Sequence, residues 1–345
     1  MPARSETPPP AAARRRAMQG ALVGVALVWG ATFVLVKEST ARVPVYSFNT
    51  LRFSLAAAVV TAFCVPGLRR LGRDGLARGA VLGLFLFGGY AFQTVGLQYT
   101  EASKAAFITG TFVVLVPLLS AVLLRRPPAP AALAGALLAL AGLALLSLVG
   151  SFVPAYGDAL VFGCAVSFAA HIVGLGAWAP RYDPLPLTAV QLAVAGVIHG
   201  AVALLGDVGS GAFDVDGQVV FVILFTALLA SAAGFWIQTA AQRVLPPTRT
   251  AITLTMEPVF AGVFGYLLLG ERLGARGWAG CGLILAGMLI AELRAAADAG
   301  SDPVLPADPT PAAAAATAGP SAGRAAPWSP PPRPPAPPTG ARRRR

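Results

Sequence analysis

The segment MQGALVGVALVWGATFVLV, residues 18 to 36, carries no charged side chain. Its length matches a bilayer, because a hydrocarbon core about 30 Å thick takes about 20 helical residues to cross. Nine further apolar stretches of similar length follow it, separated by short polar breaks, and the last ends at Leu293. The pattern predicts a membrane protein that crosses the bilayer ten times.

The predicted spans share a nearly continuous apolar composition. They are Met18 to Val36, Val45 to Val65, Ala80 to Leu97, Ala105 to Leu124, Ala129 to Gly150, Ala159 to Trp178, Leu185 to Leu205, Val219 to Ala241, Ala251 to Leu269 and Trp278 to Leu293. Only helices and closed barrels satisfy their backbone groups in hydrocarbon. Barrel strands alternate apolar and polar residues, which these runs do not. The predicted fold class is therefore all-α integral membrane.

The composition agrees with this class, since 56% of the residues are hydrophobic and 12% are charged, against about a quarter charged in soluble domains. The net charge of +11 does not indicate nucleic-acid binding, because the basic residues lie in short loops and tails. The cysteines Cys64, Cys164 and Cys281 fall inside apolar spans without metal-like spacing. No metal, cofactor or disulfide framework is expected.

Basic residues set the predicted orientation, with both termini cytoplasmic. The inner side then holds Arg4, Arg14, Arg15, Arg16, Arg69, Arg70, Arg73, Arg78, Arg125, Arg126, Arg181, Arg243, Arg249 and Arg294. The outer side holds Lys37, Arg42, Lys104, Arg272 and Arg276, together with an acidic loop around residues 207 to 216. This excess follows the positive-inside rule.

An internal repeat is indicated when Pro117 is aligned with Pro258. After a short insertion, Gly135 then meets Gly280 and Gly142 meets Gly287. Two halves with an odd number of spans enter the membrane from opposite sides, so the chain is predicted to contain two inverted-topology five-helix repeats, as in secondary transporters. The predicted segments are a cytoplasmic tail 1–17, the first repeat 18–150, an external linker 151–156, the second repeat 157–293, and a disordered cytoplasmic tail 294–345 rich in Pro, Ala and Arg.

Several segments resemble the EamA family of the drug/metabolite transporter superfamily. They are VWGATFVLVK (28–37), LRFSLAA (51–57), GLQYTEASKAAFITGTFVVLVPLLSAVLL (96–124) and MEPVFAGVFGYLLLGERLGARGWAGCGLILAGMLIAEL (256–293). The resemblance implies ten helices in the bacterial inner (plasma) membrane. It further implies transport of amino acids, other small metabolites or toxic compounds, often by proton antiport. A facilitative permease, a lipid flippase and a nucleotide-sugar-type exchanger on the same architecture stay open.

Glu257 is the first candidate for proton coupling or substrate binding, because an intramembrane carboxylate normally faces the bundle interior or a wet cavity. Pro258 beside it removes a backbone bond to the Leu254 carbonyl, and Thr253 lies one turn away. Pro117 and Pro258 are predicted to mark helix breaks that line the central cavity. The alternative for Glu257 is a structural acid bonded to a neighbouring helix.

Four further residues complete the predicted site. Arg52 lies inside the second span, where it binds an anionic group of the substrate, snorkels or packs. His171 is a candidate proton relay, Gln93 a ligand-orienting amide, and Trp29 an aromatic lining residue. Interior hydrogen bonding and packing are the structural alternatives for all of them.

An enzyme is not expected, because the sequence contains no HExxH, GxSxG or GxxxxGK motif. The predicted partners are a small-molecule substrate, protons and membrane lipid, with no nucleic acid, and a homodimer stays open. The sequence does not select the substrate, the direction of transport or the coupling.

Overall fold

The structure, a computed structural model, describes residues 11–100, 102–125, 127–147, 156–207, 214–269 and 274–298. Every regular element in these ranges is helical. Residues 1–10, nearly all of the predicted external linker 151–156, and the tail from residue 299 onward lie outside the described residues.

The described helices overlap the predicted spans, with differences in bounds and continuity. Their bounds are α1 Ala11–Thr40, α2 Val45–Ala62, α3 Val65–Gly96, α4 Ala102–Gly110, α5 Phe112–Leu123, α6 Pro130–Ser147, α7 Tyr156–Trp178, α8 Pro184–Gly206, α9 Gly217–Phe225, α10 Gly234–Ala241, α11 Pro247–Leu254, α12 Met256–Leu269 and α13 Ala275–Asp298. A π-helical segment, Thr226–Ala233, joins α9 to α10, and a 3₁₀ turn, Ala179–Arg181, follows α7.

Within the part of the chain that the structure describes, four continuous helical segments are long and apolar enough to cross a membrane: Val65–Gly96, Tyr156–Arg181, Pro184–Gly206 and Gly217–Ala241. Shorter apolar helices cover residues 107–123, 130–145 and 275–291. The main departure from the predicted bounds is α3, which starts at Val65 instead of Ala80 because a kink at Gly72, with φ of +68°, joins a basic helical turn to the apolar span. Glycine tolerates this left-handed conformation without a Cβ clash.

Two predicted spans are interrupted inside the bundle. A turn at Thr111 separates α4 from α5, and a turn at Thr255 separates α11 from α12. Each threonine hydroxyl donates to a carbonyl three residues earlier, Thr111 to Ile108 and Thr255 to Ile252, at 2.6 Å in both cases. Such back-bonding competes with the helical ladder. The interruptions therefore fall at the two threonines, ahead of Pro117 and Pro258.

Glycines allow the closest helix pairs to approach. A Cβ added to Gly135 would lie 2.7 Å from the Gly287 carbonyl oxygen, and one added to Gly142 would lie 2.6 Å from that of Gly280. These contacts join α6 to α13 as an antiparallel pair. The α2–α8 pair packs in the same way, with Gly196 against the backbone of Ser54. Small residues at membrane helix interfaces permit this approach.

Candidate functional site

The described part of the bundle contains a cavity bounded by α1, α2, α3, α4, α5, α7, α10, α11 and α12. The centre of a water molecule can occupy about 70 Å³ of it, which is several times the space that one water requires. Five aromatic side chains contribute to its walls: Trp29, Tyr90, Phe112, Phe168 and Phe235. The cavity can therefore hold a small molecule with an apolar body.

Two opposite charges, Arg52 and Glu257, line the same cavity. Arg52 is 3% exposed and makes three contacts with two neighbours, Ser231 and Tyr90. Its Nε donates to the Ser231 hydroxyl at 2.7 Å and its Nη2 to the Tyr90 hydroxyl at 3.2 Å. The guanidinium also lies 4.6 Å from the Tyr90 ring centroid, within the range of a cation–π interaction. The Arg52 charge is thus anchored to α3 and to the π-helical segment.

Glu257 lies in the first turn of α12, directly after the interruption at Thr255. A helix N-terminus favours a negative charge, which helps the protein to keep a carboxylate at this depth. Within the described residues, no hydrogen bond reaches its carboxylate, and the two ion pairs, Arg42–Asp216 and Arg78–Asp74, do not involve it. The Glu257 oxygens are therefore available to a proton or a ligand.

His171 and Gln93 also line the cavity. His171 is 1% exposed, and its Nε2 lies 2.8 Å from the Gln191 amide oxygen. Because the Gln191 amide nitrogen donates to the Leu187 carbonyl, that oxygen faces the imidazole, which makes His171 Nε2 the donor. Gln93 donates to the Thr109 hydroxyl at 3.4 Å, and Thr109 lines the cavity as well.

Three predicted site residues lie elsewhere. Thr253 is fully buried and donates to the Arg249 carbonyl, away from the cavity lining. Pro117 is buried inside α5, and Pro258 occupies the first turn of α12. Neither proline is among the residues that line the cavity, whereas Phe112 and Leu254, next to the two interruptions, are.

Gln238 adds an acceptor that is visible only in the folded bundle. Its Nε2 donates to the Gln242 oxygen at 3.3 Å, while its own Oε1 is buried and has no partner among the described residues. Gln238 lines the cavity. The Oε1 atom itself is not exposed in the cavity, so the lining contributed by Gln238 comes from its other atoms.

Polar contacts close the bundle at both ends of the helices. At one end Arg42, after α1, pairs with Asp216 at 2.6 Å, and Asp207 accepts from Ser47 N at 2.7 Å. At the opposite end the Tyr182 hydroxyl donates to Asp74. The pKa of the Asp216 carboxyl lies below its ordinary value, chiefly because its carboxylate accepts the Val219 N–H at 2.9 Å and secondly because of Arg42.

The contact of Ser231 with Arg52 could not be predicted from the sequence. This serine lies in the stretch LLASAAGF, residues 228 to 235, whose small residues indicate close helix packing and no polar function. Tyr90 could be found only as one aromatic residue among many. The contacts of both residues with Arg52 could not be predicted, because Arg52 comes from a different helix.

The chain is similar to known transporters. The model of the EamA-like transporter family matches residues 18–148 and 155–292. An uncharacterized transporter of Archaeoglobus fulgidus is 33% identical over 270 residues, which cover 78% of this chain and 84% of that protein. A probable amino-acid metabolite efflux pump of Salmonella typhimurium is 25% identical over 288 residues, 77% of this chain and 91% of the pump.

The fold is shared with a solved crystal structure. The two chains superpose with a TM-score of 0.68 at 21% sequence identity, and the match covers 81% of this chain and 99% of the other. At that identity the likeness concerns the fold alone.

Proposed function

The chain belongs to the EamA-like transporter family, and from that membership we propose that it is a secondary active transporter that exports a small metabolite, an amino acid or a toxic compound by alternating access, in exchange for protons. The family and the named relatives are transporters, not enzymes. The protein is accordingly a multi-pass membrane protein that carries a small-molecule substrate. The bacterial inner membrane is its proposed location, with both termini in the cytoplasm.

The proposed architecture is ten transmembrane helices in two inverted five-helix repeats. The family model matches two consecutive stretches of similar length, as expected of a duplication. The glycine contacts between α6 and α13 support it further. The repeat makes Gly135 equivalent to Gly280 and Gly142 equivalent to Gly287. Exchanging the two repeats therefore turns the Gly135–Gly287 contact into a contact between Gly280 and Gly142. Both contacts are present, as a two-fold relation requires.

The interruptions at Thr111 and Thr255 suggest a better register for the repeat. The segments ITGT (108–111) and ITLT (252–255) make the same back-bond at the same place, whereas aligning the two prolines sets Thr255 opposite Val114. In the threonine register the counterpart of Glu257 is Val113, and in the proline register it is Val116. Both are apolar, so the acid stands in one repeat only.

The observation that best supports the proposed function is that Arg52 and Glu257 line the same partly apolar cavity. Neither residue pairs with the other within the described residues. A zwitterion with an apolar side chain fits such a cavity, with its carboxylate at Arg52 and its ammonium group at Glu257. An amino acid has this chemistry, and one relative carries a name of that kind.

Proton exchange follows from competition at Glu257. A substrate ammonium group and a proton both bind the carboxylate, so the site carries one or the other. When the cavity opens to the proton-rich side, protonation releases the substrate, and when it opens to the cytoplasm, loss of the proton restores the carboxylate. Arg52 keeps its charge throughout, because a guanidinium does not lose its proton in proteins.

The test is transport by the full-length protein in liposomes. We expect a proton gradient directed into the compartment that corresponds to the cytoplasm to drive L-leucine out of that compartment. L-leucinamide, which lacks a carboxylate, and 4-methylpentanoate, which lacks an amino group, should be transported poorly. Growth protection against amino acids, their analogues and common toxicants would screen the wider substrate range. An L-leucine flux that does not depend on the pH gradient would indicate facilitated permeation instead of proton antiport.

Orientation has its own test. Reporter fusions after Arg73 and Arg294 should give cytoplasmic activity, and a fusion within residues 207 to 216 should give external activity. An external location for the fusion after Arg294 would contradict both the ten-span topology and the inverted repeat.

A further inference from the structure

The π-helical segment Thr226–Ala233 does not itself line the cavity, but it bonds to two residues that do, Trp29 and Arg52. Within it the Gly234 N–H donates to the carbonyl of Leu229, five residues back, and not to that of Ala230. The Ala230 oxygen instead accepts the indole N–H of Trp29 at 2.8 Å. A widened turn of this kind is often found at functional positions of helices. Here it frees a carbonyl that fixes a cavity aromatic.

The next residue of the same turn, Ser231, is fully buried and accepts from Arg52 Nε at 2.7 Å. Two consecutive π-helical residues thus fix the largest aromatic side chain and the cation of one cavity. The contacts come from α1 and α2, which are distant in sequence from the segment. An ordinary α-helix would bond the Ala230 carbonyl to the Gly234 N–H, which would leave less room for Trp29.

Ser231 controls where the guanidinium points. The Nε bond to Ser231 and the Nη2 bond to Tyr90 hold the planar group at two corners, against the Tyr90 ring. Arg52 lines the cavity, so its remaining N–H groups are the ones available there. A carboxylate is recognised best by two parallel N–H groups of a fixed guanidinium. Loss of either anchor would let the fork rotate away from this geometry.

We propose that Ser231 is a positioning residue of the transport site, which acts through Arg52 to present the guanidinium to a carboxylate on the substrate. The proposal rests on the proposed function only in taking Arg52 as the group that binds the anionic end of the substrate. It assigns a role to the π-helical segment itself, since its consecutive residues Ala230 and Ser231 bond to two residues that line the cavity, Trp29 and Arg52.

The first measurement needs no transport substrate. In full-length protein in lipid nanodiscs, the ¹⁵Nε–H resonance of Arg52, assigned by its loss in Arg52→Lys, should exchange slowly with water. Ser231→Ala should shift this resonance and speed its exchange, whereas Ser231→Thr, which keeps the hydroxyl, should retain it. Thr226→Val is the matched control, because the Thr226 hydroxyl bonds only to carbonyls of its own helix, Val222 and Ile223.

The second measurement titrates the same resonance with 4-methylpentanoate and with neutral 4-methylpentanamide. The carboxylate should bind the parent and perturb Arg52, and Ser231→Ala should weaken it about tenfold, the expected effect of losing a well-placed hydrogen bond to a charged group. Amide binding should not change. In an Arg52→Lys background, which lacks this resonance, carboxylate affinity is measured by calorimetry instead, and Ser231→Ala should cause no additional loss because its effect passes through the guanidinium.

Two results would overturn the proposal. One is equal carboxylate affinity in Ser231→Ala and the parent, which would make the serine a packing residue. The other is a carboxylate that binds without perturbing the Arg52 resonance, which would place the anion site elsewhere. In the second case pH-driven transport of L-leucine could still be intact, so failure of this proposal is distinguishable from failure of the proposed function.

Discussion

The two charged walls of the cavity differ in how firmly each charge is held. Arg52 is 3% exposed, donates to Ser231 and Tyr90, and stacks on an aromatic ring. Glu257 follows a helix interruption and receives no hydrogen bond from the described residues. The cation is therefore a fixed feature of the protein, whereas the carboxylate can change partners without breaking protein contacts.

This difference suits Arg52 to substrate binding and Glu257 to proton coupling. A guanidinium stays charged under all working conditions, so a fixed Arg52 suits recognition of an anionic group. A carboxylate gains and loses protons, and one without protein partners is able to exchange a proton for a substrate cation. The comparison predicts that substitutions at the two walls will have different kinetic consequences.

The largest effect is expected for Glu257→Gln, which keeps the side-chain shape but cannot ionise. The variant should reach the membrane normally, yet lose transport driven by a pH gradient down to the level of protein-free vesicles. Substrate exchange without proton movement should persist. Glu38→Gln is the control, because this exposed acid bonds to Gln218 outside the cavity. Concentrative, pH-driven transport by Glu257→Gln equal to the parent would make Glu257 structural and leave His171 as the next candidate.

A smaller effect is expected for Arg52→Lys. An ammonium group keeps the charge but cannot reproduce the Nε and Nη2 bonds, so we expect KM for L-leucine to rise about tenfold while the pH dependence of transport persists. Arg78→Lys, at an exposed ion pair with Asp74, should leave KM unchanged. If Arg52→Lys abolished the pH dependence and left KM intact, the assignment of the two walls would be reversed.

Cysteine accessibility tests which residues near Glu257 line the cavity. In a background without Cys64, Cys164 and Cys281, Thr109→Cys should react with a small polar thiol reagent, since Thr109 lines the cavity. Thr253→Cys, at a fully buried position that does not line the cavity, should react about tenfold more slowly than Thr109→Cys, or slower still. L-leucine should protect the first cysteine. Equal rates would mean that the wet path extends beyond the cavity.

The smallest effect is expected at Asp216, far from both walls. Its pKa is depressed by the Val219 N–H and by Arg42, so the pair contributes stability above the ordinary carboxyl pKa of about 3.9 and loses it as the pH falls through the lowered value. Asp216→Asn should lower the melting temperature slightly at neutral pH, and the difference from the parent should shrink in acid. Transport kinetics should not change, and a changed KM would show that this end contact is coupled to the cavity.

The sequence located much of the candidate site because charges are rare in apolar spans. Arg52, Glu257, His171, Gln93 and Trp29 were all selected from the sequence, and all of them line one cavity. The physical reason is that polar groups in hydrocarbon turn toward the bundle interior. Their roles in transport stay predictions.

Thr253, Pro117 and Pro258 show where this reasoning stops. Spacing by one helical turn from Glu257 suggested that Thr253 shares its face, but the turn at Thr255 intervenes and Thr253 bonds to its own helix. The Thr253 prediction depended on a continuous helix, which the bundle does not maintain here. The prolines predicted helix breaks, and both segments are interrupted, at Thr111 and Thr255, whose hydroxyls bond back to carbonyls. That the prolines mark breaks along a transport path stays a prediction.

The sequence by itself determined the helical class and the approximate bounds of the apolar segments, because hydrocarbon thickness and backbone hydrogen bonding leave few alternatives. Only the tertiary structure decided which helix faces meet. In spans that are apolar on every side, periodicity does not distinguish a lipid-facing residue from a buried one. Helices distant in the chain supply the contact of Arg52 with Ser231 and that of Trp29 with the Ala230 carbonyl. None of the described helices supplies a hydrogen bond to Glu257.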